Sequence, residues 1–317
     1  MTIRLVRRWV PLVVSLGLLA IMVGYTPWRQ VWATWQLLSP RVIVLLFGLS
    51  LMYYSLKVAR FWYMLRALQI YQPLGTVALS YLSAQPISLL PAGEIYRTRT
   101  LQRHTGVNMR DSMPTFTMQG LFEGIGMAVV GIVSALAIGE LRIPILALAV
   151  LVLASVVAVQ AGYLRYFLRL MNRLPFISIS RQYMQRFSKA NQIMLSRQWL
   201  PLLLSISVIT EITGGGIAYV AAHNLGSHIN VFQAMLIYIV PLVAGFISLL
   251  PGGFGVAEQS TIGLLVLADA SVAVAVATTL AIRITIVGLG LAYGIIAMAI
   301  AYWQELKGRH LSIDETG

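Results

Sequence analysis

Residues 87–91 read Ile-Ser-Leu-Leu-Pro, and residues 247–251 read the same five residues, 160 positions later. Each copy closes an apolar run and opens a turn. The first turn is Pro91-Ala92-Gly93-Glu94, and the second is Pro251-Gly252-Gly253-Phe254-Gly255. Proline ends a helix and glycine admits backbone conformations closed to other residues, so both runs are expected to break there. Leucine-rich sequence produces five-residue matches easily, so the offset has to be tested along the rest of the chain. The span 41–65 falls on 201–225, the interrupted run 74–90 on 234–250, and the span 112–138 on 272–298. Agreement of the whole pattern makes chance a poor explanation.

The sequence around the repeat belongs in a bilayer. Of 317 residues 58% are hydrophobic and only 10% carry Asp, Glu, Lys or Arg, against about a quarter in soluble domains. Mean hydropathy is +0.81, and several runs reach the ~20 residues needed to cross a ~30 Å hydrocarbon core. About eight spans of that length would take half the chain. The remaining short loops and one basic linker leave no room for a separate soluble catalytic domain of ~100 residues, so an enzyme is not expected. Lys and Arg outnumber Asp and Glu 23 to 10, a formal charge of +13. In a membrane protein such an excess belongs in cytoplasmic loops facing anionic lipid, which makes membrane lipids the expected partners and nucleic acid an unexpected one. The chain has no cysteine, which excludes disulfides, thiolate metal sites and cysteine nucleophiles. His104, His223, His228 and His310 are scattered, without metal-ligand spacing, so neither metal nor cofactor is expected.

Charge then orients the spans. Arg4, Arg7 and Arg8 precede the apolar run Trp9–Tyr25. No small-x-small cleavage site follows it closely, so the run is expected to stay as a first transmembrane helix. Trp28, Trp32, Trp35 and Leu38 share one helical face, the pattern of a short interfacial helix. The span 41–65 ends with Lys57, Arg60 and Arg66, which are expected to snorkel to the cytoplasmic surface. The run 74–90 is followed by Arg97, Arg99, Arg103 and Arg110. A re-entrant hairpin turning back at Pro91 and Gly93 keeps those arginines inside, and broken backbone is tolerated where it lines a cavity. Spans at 112–138 and 143–170 follow. In the basic linker after them Tyr183, Phe187, Ala190 and Met194 share a face, expected to lie on lipid. The second half repeats the scheme with a span 199–222, a run 231–250, the second turn, and a last span 271–303. Only Arg29, Arg41, Arg142 and the buried Arg283 fall outside the inner side, and both termini are cytoplasmic.

The fold class is thus an all-α polytopic membrane protein, with an inverted-topology repeat, two re-entrant helical hairpins and an extra N-terminal transmembrane helix. It is one integral membrane domain over 1–317: repeat 1 at about 41–138, connector helix and basic cytoplasmic linker at about 143–198, and repeat 2 at about 201–298. Inverted repeats with broken elements meeting near the midplane are the architecture of many secondary transporters. The oligomeric state stays open, a homo-oligomer included.

Ionisable residues inside a membrane cost about 2.5–3.5 kcal/mol each on insertion scales, so each is a functional hypothesis. The candidates are Glu94, Arg97, Glu123, Glu211, Glu258 and Arg283, together with the hairpin-turn residues Pro91, Gly93, Pro251, Gly252, Gly253 and Gly255. Glu94 and Arg97 stand one helical turn apart, suited either to phosphate recognition or to a local ion pair. Arg283 lies in an otherwise apolar span, with Glu123, its mate at the 160-residue offset, and Glu211 as the expected counter-charges. Either a permanent salt bridge or an exchange of carboxylate for lipid phosphate accounts for it. The glycine-rich second turn lacks the Lys-Ser/Thr and the strand of a nucleotide loop. Gly214-Gly215-Gly216 and the pair Gly290/Gly294 are expected at close helix contacts.

The segments Leu-Pro-Ala-Gly-Glu94-x-x-Arg97 and Leu-Pro-Gly-Gly-Phe-Gly-Val-Ala-Glu258 resemble the signature of the flippase-like family typified by the lysylphosphatidylglycerol synthase transmembrane region. The resemblance covers nearly the whole chain. It implies a multi-pass protein of the prokaryotic cytoplasmic membrane that moves lipids between leaflets, with Glu94, Glu211 and Arg283 as translocation residues. Some members carry a fused aminoacyl transferase domain, which is not expected after Trp303. The resulting expectation is a flippase- or scramblase-like transporter of a phospholipid or other polar-headed lipid. The alternatives are a carrier for a small ion or solute and a non-transporting accessory protein of lipid or cell-envelope biosynthesis.

Overall fold

The computed structural model describes residues 24, 26–88, 93–138, 189–248 and 250–314. The expected N-terminal span as far as residue 23, the span 143–170, the linker to residue 188, and Pro91 lie outside them. All regular secondary structure among the described residues is helical, with no strand among them. In chain order the helices are α1 (Trp28–Trp35), α2 (Pro40–Ala67), α3 (Leu74–Leu82), α4 (Gln85–Ser88), α5 (Gly93–Thr105), α6 (Met109–Ile138), α7 (Leu200–Asn224), α8 (Val231–Ile247), α9 (Val256–Leu267), α10 (Val272–Arg283) and α11 (Leu289–Asp314). A 3₁₀ turn at Pro251–Gly253 joins α8 to α9, and a π turn at Ile284–Gly288 joins α10 to α11.

Among the described residues four helices are long and apolar enough to cross a membrane: Pro40–Ala67, Asp111–Ile138, Leu200–Asn224 and Val272–Gln304. Their outer faces are apolar. On α2, Ile43, Val44, Leu45, Phe47, Leu51 and Met52 are exposed, while Tyr53, Val58, Phe61, Met64 and Leu65 point inward. An aqueous protein would not leave such a continuous apolar surface uncovered, so the chain is an integral membrane protein. Helices α8 and α9, with 17 and 12 residues, reach only about 25 and 18 Å at 1.5 Å per residue.

Local sequence sets where the helices begin and end. Pro40 occupies the first turn of α2, where a missing N–H costs nothing. At its far end Ile70 N–H donates to Leu65 O and Gln69 N–H to Arg66 O, with Gln69 at φ +62°. This is a Schellman turn with glutamine where glycine is usual. A reciprocal capping box starts α8: Gln233 N–H donates to Asn230 Oδ1 (2.9 Å) and Asn230 N–H to Gln233 Oε1 (2.8 Å).

Helix α7 is the hub, packed against α2, α6, α8 and α10. Glycines make the approach of α8 possible: a Cβ at Gly214 would collide with the Tyr238 ring, and one at Gly215 with the Met235 sulfur. Gly290 and Gly294 do the same for Tyr54 and Pro86, whereas Gly216 faces open space. The expected last span is not one continuous α-helix. It is interrupted by the π turn directly after Arg283, whose loosened carbonyls at Thr285 and Ile286 accept from Ser50 Oγ (2.8 Å) and Tyr54 Oη (2.7 Å) of α2. The interfacial helix is α1, but its face is divided. Trp28 and Trp32 are exposed, while Trp35 turns inward and donates to Ala277 O at 3.0 Å. Ala190 and Met194, expected on lipid, are buried against Met64, Met118, Phe122 and Leu203. Apolar side chains on the basic linker's helix thus meet protein, because a groove between α2, α6 and α7 accepts them.

In the second turn Gly252, Gly253 and Gly255 all have positive φ (+60°, +66° and +89°). A Cβ on Gly253 would lie 2.9 Å from the Gly245 Cα. Gly253→Ala is therefore expected to lose about 1–2 kcal/mol from the left-handed backbone alone. Gly216→Ala, in open helix, should gain up to about 1 kcal/mol. Thermal unfolding in detergent should shift in opposite directions for the two variants; equal shifts would reject this account of the turn.

Candidate functional site

Among the described residues, a cluster of buried charge lies where α2, α6 and α7 meet. Positions i, i+3 and i, i+4 share a helical face, so Lys57 and Arg60 project together from α2, Gln119 and Glu123 from α6, and Ser207 and Glu211 from α7. Lys57 Nζ donates to Glu123 Oε1 at 2.5 Å, and Arg60 Nη2 to Glu123 Oε2 at 3.4 Å. Arg60, wholly buried, also donates from Nη1 to Ser207 Oγ at 3.1 Å, and that hydroxyl passes its own proton to Leu203 O at 2.8 Å. Lys57 and Arg60 therefore do not snorkel to the surface. An internal carboxylate gives them a closer partner than water beyond the helix end.

Glu211 stands one turn above Ser207 on α7, beside Gly126 of α6, where an added Cβ would fall 3.2 Å from the Glu211 Cγ. The side chain is wholly buried and outside the ion pairs, and the Tyr238 side chain is its hydrogen-bonding neighbour, without the close geometry of the bonds around Glu123. Buried polar groups nearly always find partners, so a carboxyl this poorly served is costly, as are the buried Ser227 and Thr278 hydroxyls, which also lack a partner. Above the ion cluster the hydroxyls of Tyr53 and Tyr238 lie 3.1 Å apart, and Lys57 Nζ sits 4.6 Å from the Tyr53 ring centroid.

Arg97, on α5, reaches the same face of α6. Its Nη1 donates to Gln119 Oε1 at 2.8 Å, its guanidinium stacks 3.9 Å from the Tyr81 ring centroid, and Gln119 Nε2 donates to Tyr81 Oη at 2.8 Å. The residues that position Arg97 are thus Gln119 and Tyr81. The Glu94 side chain, like Pro91, lies outside the described residues.

A second polar centre is built at the second turn. Arg283 Nε pairs with Glu258 Oε1 at 2.7 Å, and Glu258 Oε2 accepts the Gly255 N–H at 2.6 Å. The carboxylate therefore caps α9 while it holds the arginine, and the Phe254 ring lies 5.7 Å from the guanidinium carbon. The Nη2 of Arg283 is buried and donates to nothing. The expected partners Glu123 and Glu211 are not those of Arg283. The α9 helix brings Glu258 to it directly, and Glu123 is already occupied by α2.

The sequence reading thus named Glu123, Glu211, Glu258 and Arg283 as candidates, set Lys57 and Arg60 at the cytoplasmic surface, and did not name Ser207, Gln119, Tyr53, Tyr81 and Tyr238. Polar groups were visible for all of them. For Lys57 a further signal existed, since it stands ten residues before the end of α2, about 15 Å along the axis and beyond the reach of its side chain.

The family described as the lysylphosphatidylglycerol synthase TM region matches residues 8–294. The chain belongs to this family, which places it among membrane proteins of lipid and cell-envelope biosynthesis or transport. No curated protein matches the chain.

Removing the shared carboxylate leaves two cations inside the bundle. Glu123→Ala is expected to cost about 3 kcal/mol, the low end for one partner of a buried pair, because Glu123 is about a quarter exposed. Lys57→Gln should cost less, since Arg60 still holds Glu123. A double-mutant cycle on unfolding in detergent should show coupling between the two positions; additive losses would place Lys57 outside the cluster.

Proposed function

We propose that this member of the lysylphosphatidylglycerol synthase transmembrane family moves a phospholipid or other polar-headed lipid between membrane leaflets. The headgroup follows the polar interior while the acyl chains remain in the bilayer. One observation carries the reading more than any other. Glu211, near the middle of its span, is wholly buried and stands outside the ion pairs that join Lys57, Arg60 and Glu123 beside it, with the Tyr238 side chain as its hydrogen-bonding neighbour. Burying a carboxyl with so little hydrogen bonding costs about 1–3 kcal/mol or more. A polar cargo repays that cost when it passes. The unengaged Nη2 of Arg283 offers a donor for phosphate on the same terms.

The architecture proposed for the movement is an inverted repeat. Two hairpins re-enter the bilayer around Pro91-Gly93 and Pro251-Gly255, from the cytoplasmic and outer faces respectively, and one half rocks against the other. The recurring Ile-Ser-Leu-Leu-Pro and the short helices flanking the second turn support this scheme. On it the protein sits in a prokaryotic cytoplasmic membrane with both termini inside, acts without a cofactor and catalyses no covalent reaction.

The test is leaflet exposure of labelled phospholipid and isoprenoid-phosphate lipid in liposomes containing the full chain. The chain should accelerate exchange of at least one lipid. Glu211→Gln and Arg283→Ala, checked for unchanged unfolding temperature, should each slow it at least tenfold. No lipid movement, or movement unaffected by either substitution, would overturn the proposal. Flux of an ion or solute without lipid flux would replace it with a small-solute carrier.

A further inference from the structure

A cleft of about 720 Å³ opens where the end of α2, the start of α6 and residues 189–199 meet. Its polar lining includes Arg66, Lys189, Asp111 and Gln198, and Tyr71 and Trp199 line it too. The cleft holds two cations against one carboxylate. Asp111 lies in the first turn of α6, where the helix dipole favours an acid. Neither cation has an ion pair among the described residues. Arg66 stacks on the Trp62 ring, 3.8 Å from its centroid, and its Nε is buried without a hydrogen-bond acceptor. The Schellman turn after α2 fixes this arrangement. It ties up the last carbonyls of the helix and turns the chain into the cleft wall at Gln69 and Ile70.

From these observations we infer that the cleft is a binding site for the phosphate of an anionic phospholipid, taken from the leaflet that borders the basic end of α2. A guanidinium held flat against an indole keeps its edge free for phosphate oxygens, and Lys189 supplies a second, exposed charge on the facing segment. The volume lies within the range of small-molecule sites. Depth decides for lipid over a soluble anion: the cleft lies at the end of a membrane-spanning helix, and Tyr71 and Trp199 line it as aromatic side chains do at headgroup level. The site is separate from the Lys57–Glu123–Arg60 cluster and does not require that the chain transport anything. Bound there, an anionic lipid would clamp the helix at 189–194 to α2 and α6.

Native mass spectrometry of the detergent-solubilised full chain tests the inference, with phosphatidylglycerol, phosphatidylcholine and inorganic phosphate as probes. Phosphatidylglycerol should be retained in preference to phosphatidylcholine. Lys189→Gln, an exposed change that leaves packing intact, should weaken retention about fivefold, and Arg66→Gln with Lys189→Gln about 25-fold. Arg29→Gln, at an exposed cation outside the cleft, should leave retention unchanged, and retention is read without any lipid movement, so a failed transport assay and a failed lipid site give different results. Unchanged retention in the double variant, or equal losses for both lipids, would overturn the inference. Displacement of phosphatidylglycerol by millimolar inorganic phosphate would also overturn it, by making the cleft a soluble-anion site.

Discussion

The Glu123 carboxylate is the point on which the bundle closes. Hydrocarbon cannot solvate Lys57 and Arg60, and α2 carries both near the middle of a helix whose outer face is apolar. One acid on α6 takes the two cations with its two oxygens, and Arg60 spends a further donor on Ser207 of α7. Three long helices are thereby tied at one level by charge-assisted bonds, each stronger than neutral ones in a medium of low dielectric. Apolar packing brings these helices together without fixing their rotation about their axes. The ion cluster supplies that, because a turned helix would strand a charge.

Close approach is the second requirement, and small residues meet it. Gly126 lets α6 lie against Ser207 and Glu211, and Gly214 and Gly215 let α8 press Tyr238 and Met235 onto α7. Tyr238 then meets Tyr53 above the cluster. The same glycines set the surroundings of Glu211: Gly126 brings α6 onto its side chain, and Gly214 admits the Tyr238 ring, whose side chain is the hydrogen-bonding neighbour of that carboxyl.

Much of the fold was legible in the sequence because hydropathy and proline–glycine punctuation act locally. The bounds of the spans at 41–65 and 199–222 fall within two or three residues of α2 and α7, and the glycines of the second turn take the positive φ that only their chemistry permits cheaply. What could not be read was the pairing of charges. Arg283 finds Glu258 through a turn that folds α9 back, and Arg97 finds Gln119 across 22 residues; neither relation has a periodic signature. The snorkelling expected of Lys57 and Arg60 was a rule about helix ends applied too far into a helix. The break after Arg283 was equally hidden, since Ile-Thr-Ile-Val-Gly contains no proline, and the π turn is held by the Ser50 and Tyr54 hydroxyls, which donate to its freed carbonyls.

The pairing that the 160-residue offset suggested between Glu123 and Arg283 fails for an informative reason. Each is served inside its own half, Glu123 by α2 and Arg283 by α9. At the offset positions of Lys57 and Arg60 stand Ile217 and Val220, and at that of Glu258 stands Thr98. The first half therefore concentrates charge between its long helices, whereas the second places it at a glycine turn that caps a short one. On the proposed transport route a polar group crossing between these centres would meet the Glu211 carboxyl at one and a guanidinium with a spare donor at the other. That difference gives the interior a chemical direction, and it rests on charged side chains standing opposite two apolar ones and one threonine at the matching offset positions.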